Sequence, residues 1–157
     1  MTLRIEDILT QERTLKAVPV TSKKKLLEQL ASLVAENMAT EHIGEASADD
    51  IYERLLGRER MGSTGIGEGI AIPHCRLLQC EQAMGVLLQL ETPIDYDAID
   101  GKPIDLVFAL LVPEEATDEH LQILATLATN FSQESYRESL RNSPDSKHLY
   151  TRAIANA

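Results

Sequence analysis

The chain has 157 residues, of which 43% are hydrophobic and 25% are charged, and its formal net charge is −10. This composition is typical of a globular domain, and the acidic balance excludes a chain-wide basic surface for nucleic acid. No apolar run approaches the ~20 residues of a membrane-spanning helix, the N-terminus lacks the pattern of a secretion signal, and Cys75 and Cys80 are too few for a disulfide framework. We therefore expect a single cytoplasmic domain over residues 1–157 that neither binds nucleic acid nor inserts into a membrane.

Helices and one strand are predicted in the N-terminal third. Apolar residues within 5–9 indicate a short helical turn, and residues 14–20 indicate a strand. Thr21 or Ser22 then caps a long helix, in which apolar residues recur at helical spacing over Leu26–Met38.

A further helix is predicted after Ser47. Asp50 follows three residues later, which resembles a capping box at a helix N-terminus. Ile51 and Leu55 continue the helical pattern, and Gly57 predicts that the helix ends near this residue.

The middle of the chain predicts strands. Short apolar runs occupy residues 69–73, 83–90 and 104–112 and are bounded by turn residues. The last two runs are nearly continuous rather than alternating, which favours strands buried on both faces.

The C-terminal part is predicted to be helical. A helix over residues 117–131 carries Leu124, Leu127 and Phe131 on one stripe, and Ser143 with Pro144 is the predicted N-terminus of a final helix. Helices on either side of buried strands indicate an α/β fold, a three-layer sandwich with a central sheet and helices on both faces.

A glycine-rich stretch separates the two kinds of structure. Residues 62–76 read "GSTGIGEGIAIPHCR" and contain Gly62, Gly65, Gly67 and Gly69, half of the chain's eight glycines. Such a stretch is compatible with a phosphate cradle, a hairpin or a mobile loop.

Two nucleotide-binding motifs are excluded. A P-loop needs a lysine after its last glycine, and the sequence has no lysine between Lys25 and Lys102. The G-x-G-x-G rhythm followed by a predicted strand does not match the dinucleotide fingerprint either. Backbone amides can bind anions, and the flanking Arg58, Arg60 and Arg76 match phosphate geometry well. These features favour a site for a transient phosphoryl group.

His74 is the candidate phosphoryl acceptor. Pro73 fixes its own φ and favours extended backbone at Ile72, so His74 is expected at the end of a defined strand. A neutral imidazole nitrogen is a suitable nucleophile near neutral pH. The residues alone leave open that His74 is an ordinary loop histidine.

His120 is the second candidate, because it lies at the N-terminal end of the predicted 117–131 helix, where an anion is favoured. A histidine half-packed at a helix end remains the alternative. His42 and His148 are expected at the surface. The spacing of His74, Cys75 and Cys80 matches no standard zinc site.

Two segments resemble a known family. Residues 57–74, "GRERMGSTGIGEGIAIPH", and residues 99–128, "IDGKPIDLVFALLVPEEATDEHLQILATLA", resemble the two signatures of the IIA components of the bacterial phosphoenolpyruvate-dependent phosphotransferase system. The similarity covers nearly the whole chain and is to the mannitol/fructose type, especially its nitrogen-regulatory branch.

The resemblance implies a mixed sheet with helices on both faces and a specific set of site residues. His74 matches the phosphoryl acceptor, His120 the histidine that stabilises the phosphoryl group, and Arg58 the arginine that binds it. The loop expected to surround the phosphoryl group comprises Gly62, Ser63, Thr64, Gly65, Gly67 and Gly69.

The resemblance also implies partners. The phosphoryl donor would be a phosphorylated HPr-like histidine phosphocarrier, and no cofactor or metal would be needed. Regulated targets would be proteins such as potassium-transport or sensor-kinase proteins. The alternative function is relay of phosphate to a sugar-specific IIB partner for uptake of fructose- or mannitol-type sugars.

Overall fold

The computed structural model describes residues 3–155, apart from the side chain of Glu119, so the first two and last two residues of the predicted domain lie outside the described part. In chain order the elements are α1 (Ile5–Ile8), a 3₁₀ turn (Gln11–Arg13), β1 (Thr14–Val18), α2 (Lys23–Glu41), α3 (Ala48–Glu59), β2 (Gly65–Gly67), β3 (Ile70–Ala71), β4 (His74–Leu77), β5 (Met84–Ile94), β6 (Ile104–Pro113), α4 (Asp118–Phe131), α5 (Glu134–Arg141) and α6 (Ser146–Ala155). No helix within residues 3–155 combines the length and apolarity that crossing a bilayer requires.

One mixed sheet organises the described part of the chain. Its strand order is β1-β5-β6-β3-β2, and β4 also pairs with β6. β5 and β6 are antiparallel, whereas β1 runs parallel to β5, and β3 and β4 run parallel to β6. The predicted α/β fold with a central mixed sheet is confirmed.

The central strand β6 separates two apolar cores. Val107, Ala109 and Leu111 are buried in the core shared with α2 and α3. The alternate residues Phe108 and Leu110 are buried in the core shared with α1, α4, α5 and α6. Successive strand side chains point to opposite faces, so both faces of β6 are covered, which explains its continuous apolar run. The three-layer arrangement predicted from that run is therefore confirmed.

β3 and β4 form one interrupted line along β6. Ile70 pairs with Leu106 and His74 pairs with Leu110, with no change of register across the interruption. Pro73 has no N–H to donate, but its carbonyl still accepts from the N–H of Leu110 at 2.9 Å. The strand line therefore continues past Pro73, and His74 begins a strand rather than ending one as the sequence predicted.

The caps of α2 and α3 follow the sequence prediction, and α3 ends two residues past Gly57, near which its end was predicted. Ser22 accepts from the N–H of Lys25, and Ser47 accepts from the N–H of Asp50, both at 3.1 Å. Gly57 lies inside α3, which continues to Glu59. A single glycine costs a helix only about 1 kcal/mol, less than the packing of the surrounding turns contributes.

The C-terminal helices depart from the prediction. Asp145, not Ser143, caps α6, because its carboxylate accepts from the N–H of His148 at 2.8 Å. Ser143 is buried, and its hydroxyl donates to the carbonyl of Ser139. Helix α5 was not predicted. Its buried residues are Tyr136, in its first turn, and Leu140, which is too short a pattern to indicate a helix.

Two glycines should respond in opposite directions to the same added methyl group. At Gly57 a Cβ would meet nothing within 4 Å, whereas at Gly85 it would lie 2.8 Å from the ring of Phe108. Gly57→Ala should therefore raise the free energy of unfolding by about 1 kcal/mol. Gly85→Ala should lower it by about 1–3 kcal/mol through overpacking. Urea unfolding of both variants measures the two changes, and a stabilised Gly85→Ala would contradict the packing described.

Candidate functional site

A cavity of about 710 Å³ opens beside β4, between α3 and the first turns of α4. β4 pairs with β6 along one side, so its other side faces this cavity. The wall combines apolar side chains with three arginines and one glutamate, and His74 lies in it. The lining residues of α3 and its C-terminal flank are Glu53, Arg54, Gly57, Arg58 and Met61; those of the strands and α4 are His74, Cys75, Arg76, Leu110, Val112, Leu121 and Leu124.

The imidazole of His74 is held at both nitrogens. Nδ1 lies 2.8 Å from the carbonyl oxygen of Ile72, and Nε2 accepts from Nε–H of Arg58 at 3.3 Å. A carbonyl can only accept, so Nδ1 carries the proton and Nε2 has a lone pair. The two contacts together select a single neutral tautomer of the ring.

The surroundings keep this ring neutral. Burial lowers the pKa of His74 below 6.5; the Ile72 carbonyl raises it, the Arg58 guanidinium lowers it, and the carboxylate of Glu59 raises it, with burial the largest effect. Desolvation disfavours the charged imidazolium. At neutral pH the ring therefore presents an unprotonated Nε2.

Arg58 lies in the last turn of α3, where its backbone is well placed to reach β4. Its Nη1 donates to the carbonyl of Gly62 at 2.9 Å, while its Nε donates to His74. Two hydrogen bonds, donated by different nitrogens, thus hold the guanidinium in place. Since α3 continues past Gly57, this arginine is carried on regular helix rather than on a loop.

The other predicted arginines have different surroundings. Arg76 donates from Nη1 to the carbonyls of Glu114 and Ala116, at 2.9 and 3.2 Å. It therefore ties β4 to the segment that leads into α4. Arg60 lines a separate groove beside Lys23 and Lys24. Of the three predicted arginine neighbours, only Arg58 forms a hydrogen bond with His74 in the described residues.

His120 lies in the first turn of α4, half-buried. Its Nδ1 accepts from the N–H of Thr117 at 3.3 Å and lies 3.1 Å from the Thr117 hydroxyl. The Nδ1 lone pair is thereby used, which leaves Nε2–H as a donor. The next residue, Leu121, lines the cavity with His74, but His120 itself is not among the lining residues. No hydrogen bond joins the two histidines within the described part of the chain.

The glycine-rich stretch forms a hairpin. β2 and β3 are antiparallel, with Gly65 opposite Ala71. Gly67 and Gly69 have φ of +101° and +79°, which L side chains rarely adopt. They flank Glu68 in the turn, so the tight reversal explains the spacing of these glycines. The hairpin, one of the three alternatives for this stretch, is the structure observed.

The predicted phosphate loop does not line the cavity. Within residues 3–155, the lining residues include none of Gly62, Ser63, Thr64, Gly65, Gly67 and Gly69. Several of the loop amides already have acceptors: that of Gly62 donates to the Glu59 carbonyl, that of Thr64 to the Glu59 carboxylate and that of Gly65 to the Ser63 hydroxyl, each at 3.1 Å. Phosphate binding by these residues stays a prediction without support from this arrangement.

A buried carboxylate next to Arg58 was missed by sequence reasoning. The side chain of Glu59 is 3% exposed and lies 2.9 Å from Nζ of Lys23. One signal for it exists in the sequence: Lys23 occupies the first turn of α2, where the helix dipole disfavours a cation. A cation there needs a nearby acidic partner, but the pattern does not say which one.

Comparisons with known proteins identify the family of the chain. The family described as "Phosphoenolpyruvate-dependent sugar phosphotransferase system, EIIA 2" matches residues 7–156. The chain is 48% identical to the "Nitrogen regulatory protein" of Pseudomonas aeruginosa over 94% of this chain and 93% of that protein.

Solved structures show the same fold. The nitrogen regulatory protein IIA-Ntr from Neisseria meningitidis superposes with a TM-score of 0.83 and 41% identity, over 96% of this chain and 97% of that chain. IIA mannitol from Escherichia coli shares the fold, with a TM-score of 0.72 and 17% identity over 92% of this chain and 97% of that chain. The chain therefore belongs to the EIIA-2 family of the phosphoenolpyruvate-dependent sugar phosphotransferase system, and its relatives there at 41% and 48% identity are nitrogen regulatory proteins.

Proposed function

We propose that this chain is a phosphoryl carrier, which accepts a phosphoryl group on Nε2 of His74 from a phosphorylated, HPr-like histidine phosphocarrier. The observation that carries the proposal is the state of the ring, because Nδ1–H donates to Ile72 and leaves Nε2 unprotonated in an open cavity. Membership of a phosphotransferase-system family supports the same chemistry.

The proposed transfer needs no net proton movement at His74. The Nε2 lone pair attacks phosphorus in line with the donor nitrogen, so a new P–N bond forms as the donor's P–N bond breaks. The bonding electrons return to the donor ring, which carries a proton on its other nitrogen and therefore leaves as a neutral imidazole. The acceptor ring keeps its proton on Nδ1, where the Ile72 carbonyl stabilises the positive charge that develops on the ring.

Arg58 would stabilise the group being transferred. Its Nε–H now contacts the lone pair of His74 Nε2, so the guanidinium must move onto the phosphoryl oxygens as the donor arrives. Such transfers depend mainly on positioning and charge stabilisation. A guanidinium can bind two phosphoryl oxygens at once, and Arg54 adds a further positive charge to the cavity wall.

His120 would supply a second donor. Thr117 holds its ring with the proton on Nε2, the form that can donate to an anionic oxygen. A shift of the first turn of α4 or of the side chain would bring it to the phosphoryl group, since within the described residues no hydrogen bond joins it to His74.

The rim of the cavity fits docking of a partner protein. Met61 is 83% exposed, and Leu121 and Leu124 line the cavity beside it. Exposed apolar patches bordered by polar side chains mark protein-binding surfaces. The phosphocarrier would cover this rim while its own histidine approaches His74.

The output of the carrier is proposed to be regulatory. The relative from Pseudomonas aeruginosa that shares nearly the full length is a nitrogen regulatory protein. A phosphoryl group adds about −1.5 to −2 charge units among the arginines of the cavity wall. This change would alter which partners bind there, and proteins of potassium transport or sensor kinases are the proposed class of target.

Phosphoryl uptake tests the acceptor directly. With a phosphorylated phosphocarrier as donor, the wild-type protein should gain the mass of one phosphoryl group, and His74→Ala should gain none. His120→Ala should take up the group roughly ten- to hundredfold more slowly, because a hydrogen bond to a charged group is lost. Intact-mass measurement over time gives both results.

His148→Ala is the matched control, since His148 is exposed and contacts Asp145 rather than the cavity; it should be labelled as fast as the wild type. Labelling that persists in His74→Ala would refute the acceptor assignment. Added to the labelled protein, a purified sugar-specific IIB domain should leave the label on His74; rapid transfer to it would favour sugar transport instead.

The pKa of His74 makes a second test that needs no donor. Burial lowers this pKa below 6.5, so the ring should stay neutral as the pH falls through 6.5 and become protonated only in more acidic solution. The unfolded chain binds this proton more readily than the folded protein does. The free energy of unfolding should therefore be highest above pH 6.5 in this respect and should decrease as the pH falls from 6.5 through the pKa of folded His74. An NMR titration of the ring nitrogens measures the pKa, with a short histidine peptide as reference; a His74 pKa at or above that of the peptide would contradict the assignment.

A further inference from the structure

Glu59, the last residue of α3, accepts hydrogen bonds from the middle and the end of the loop that follows, residues 60–64. The backbone carbonyl of Glu59 accepts from the N–H of Gly62 at 3.1 Å. Its carboxylate accepts from the N–H of Thr64 at 3.1 Å and from the Thr64 hydroxyl. One residue therefore fixes the conformation of the chain from residue 59 to residue 64.

The carboxylate is buried and its charge is compensated. The Glu59 side chain is 3% exposed, and Nζ of Lys23 lies 2.9 Å from it. Lys23 also lies over the ring of Tyr96, 4.4 Å from its centroid, and the Tyr96 hydroxyl is 3.1 Å from the Thr64 hydroxyl. Separating such a buried pair leaves each charge uncompensated. Glu59 and Lys23 are therefore strongly restrained to their positions.

This loop orients Arg58. The carbonyl of Gly62, midway along the loop, accepts from Nη1 of Arg58 at 2.9 Å, and Nε of the same guanidinium reaches His74 at 3.3 Å. The second distance is close to the limit of a hydrogen bond. A displacement of the loop by a few tenths of an ångström would therefore break the contact with His74.

We propose that Glu59 is a positioning residue: its carboxylate fixes the 60–64 loop, and through Gly62 it holds the Arg58 guanidinium against Nε2 of His74. Its effect on phosphoryl uptake rests on the proposed function, whereas its effect on Arg58 and His74 does not. Lys23 and Thr64 belong to the same unit, because they neutralise and hydrogen-bond the carboxylate.

Glu59→Gln tests this role with little change of shape. The variant keeps an oxygen that can accept from Thr64 but loses the charge that Lys23 needs. In NMR spectra of the unphosphorylated protein, the Arg58 Nε–H signal and the His74 ring-nitrogen shifts should move away from their wild-type positions. Phosphoryl uptake should slow by roughly tenfold or more, as misplacement of a catalytic group does.

Glu41→Gln is the matched control. It neutralises a carboxylate that, like Glu59, is paired with a cation; here the cation is the buried Arg13, on a different part of the fold. It should lower the melting temperature while leaving the Arg58 and His74 signals and the uptake rate unchanged. Equal slowing in both variants would mean that lost stability alone is responsible, and would overturn the proposal.

Variants of Thr64 test the same positioning role if Glu59→Gln fails to fold. Thr64→Val removes the hydroxyl donor to Glu59 and should shift the same NMR signals, whereas Thr64→Ser keeps the donor and should stay closer to the wild type. Wild-type signals in a folded Glu59→Gln, or no difference between the two Thr64 variants, would refute the positioning role. If the wild type takes up no phosphoryl group, only the proposed function fails, and the NMR signals still test Glu59.

Discussion

The rest of the site depends on the pair of hydrogen bonds that hold His74. The Ile72 carbonyl takes the proton of Nδ1, and Arg58 faces the lone pair of Nε2. Each contact comes from a different layer of the fold. The first depends on the strand line of β3 and β4 along β6, which continues across Pro73, and the second depends on α3 running two residues beyond Gly57. Together these two elements produce a half-buried, neutral imidazole in one tautomer.

The charge distribution around His74 is set by the need to hold the Arg58 guanidinium beside it. On a chain with a net charge of −10, the cavity wall concentrates Arg54, Arg58 and Arg76. A buried carboxylate, Glu59, lies directly behind this group with Lys23 as its counter-ion. Lysine at a helix N-terminus is locally unfavourable, and its ion pair with Glu59 offsets that cost. Lys23 therefore departs from the usual charge preference of a helix N-terminus, and it does so where its partner Glu59 lies next to Arg58.

Local signals predicted much of the fold. The caps at Ser22 and Ser47, the apolar periodicity of α2 and the continuous apolar run of β6 each have a short-range physical cause, so the sequence shows them directly. Ser143 was misinterpreted as a cap because it is buried, and its hydroxyl bonds the Ser139 carbonyl instead. Strand order and direction depend on contacts distant in sequence and could not be predicted from the residues themselves; the resemblance supplied only that the sheet is mixed.

The site was predicted unevenly for similar reasons. His74 and Arg58 belong to a signature that could be identified, and the structure brings them into contact. The glycines next to them were expected to surround phosphate, yet the φ angles of Gly67 and Gly69 serve a hairpin turn. A glycine rhythm does not distinguish these two uses, since both need backbone that other residues rarely adopt. The buried Glu59 carries no local pattern, because its partners Lys23 and Thr64 come from separate segments.

The most direct test of the central claim is the identity of the phosphorylated nitrogen. After uptake from a phosphorylated phosphocarrier, NMR correlation of the phosphorus with the ring nitrogens and protons of His74 determines which nitrogen carries the group. The tautomer held by Ile72 and Arg58 predicts phosphorus on Nε2, with the proton retained on Nδ1. Phosphorus on Nδ1 would contradict the account, because that nitrogen would first have to lose its proton and its contact with the Ile72 carbonyl.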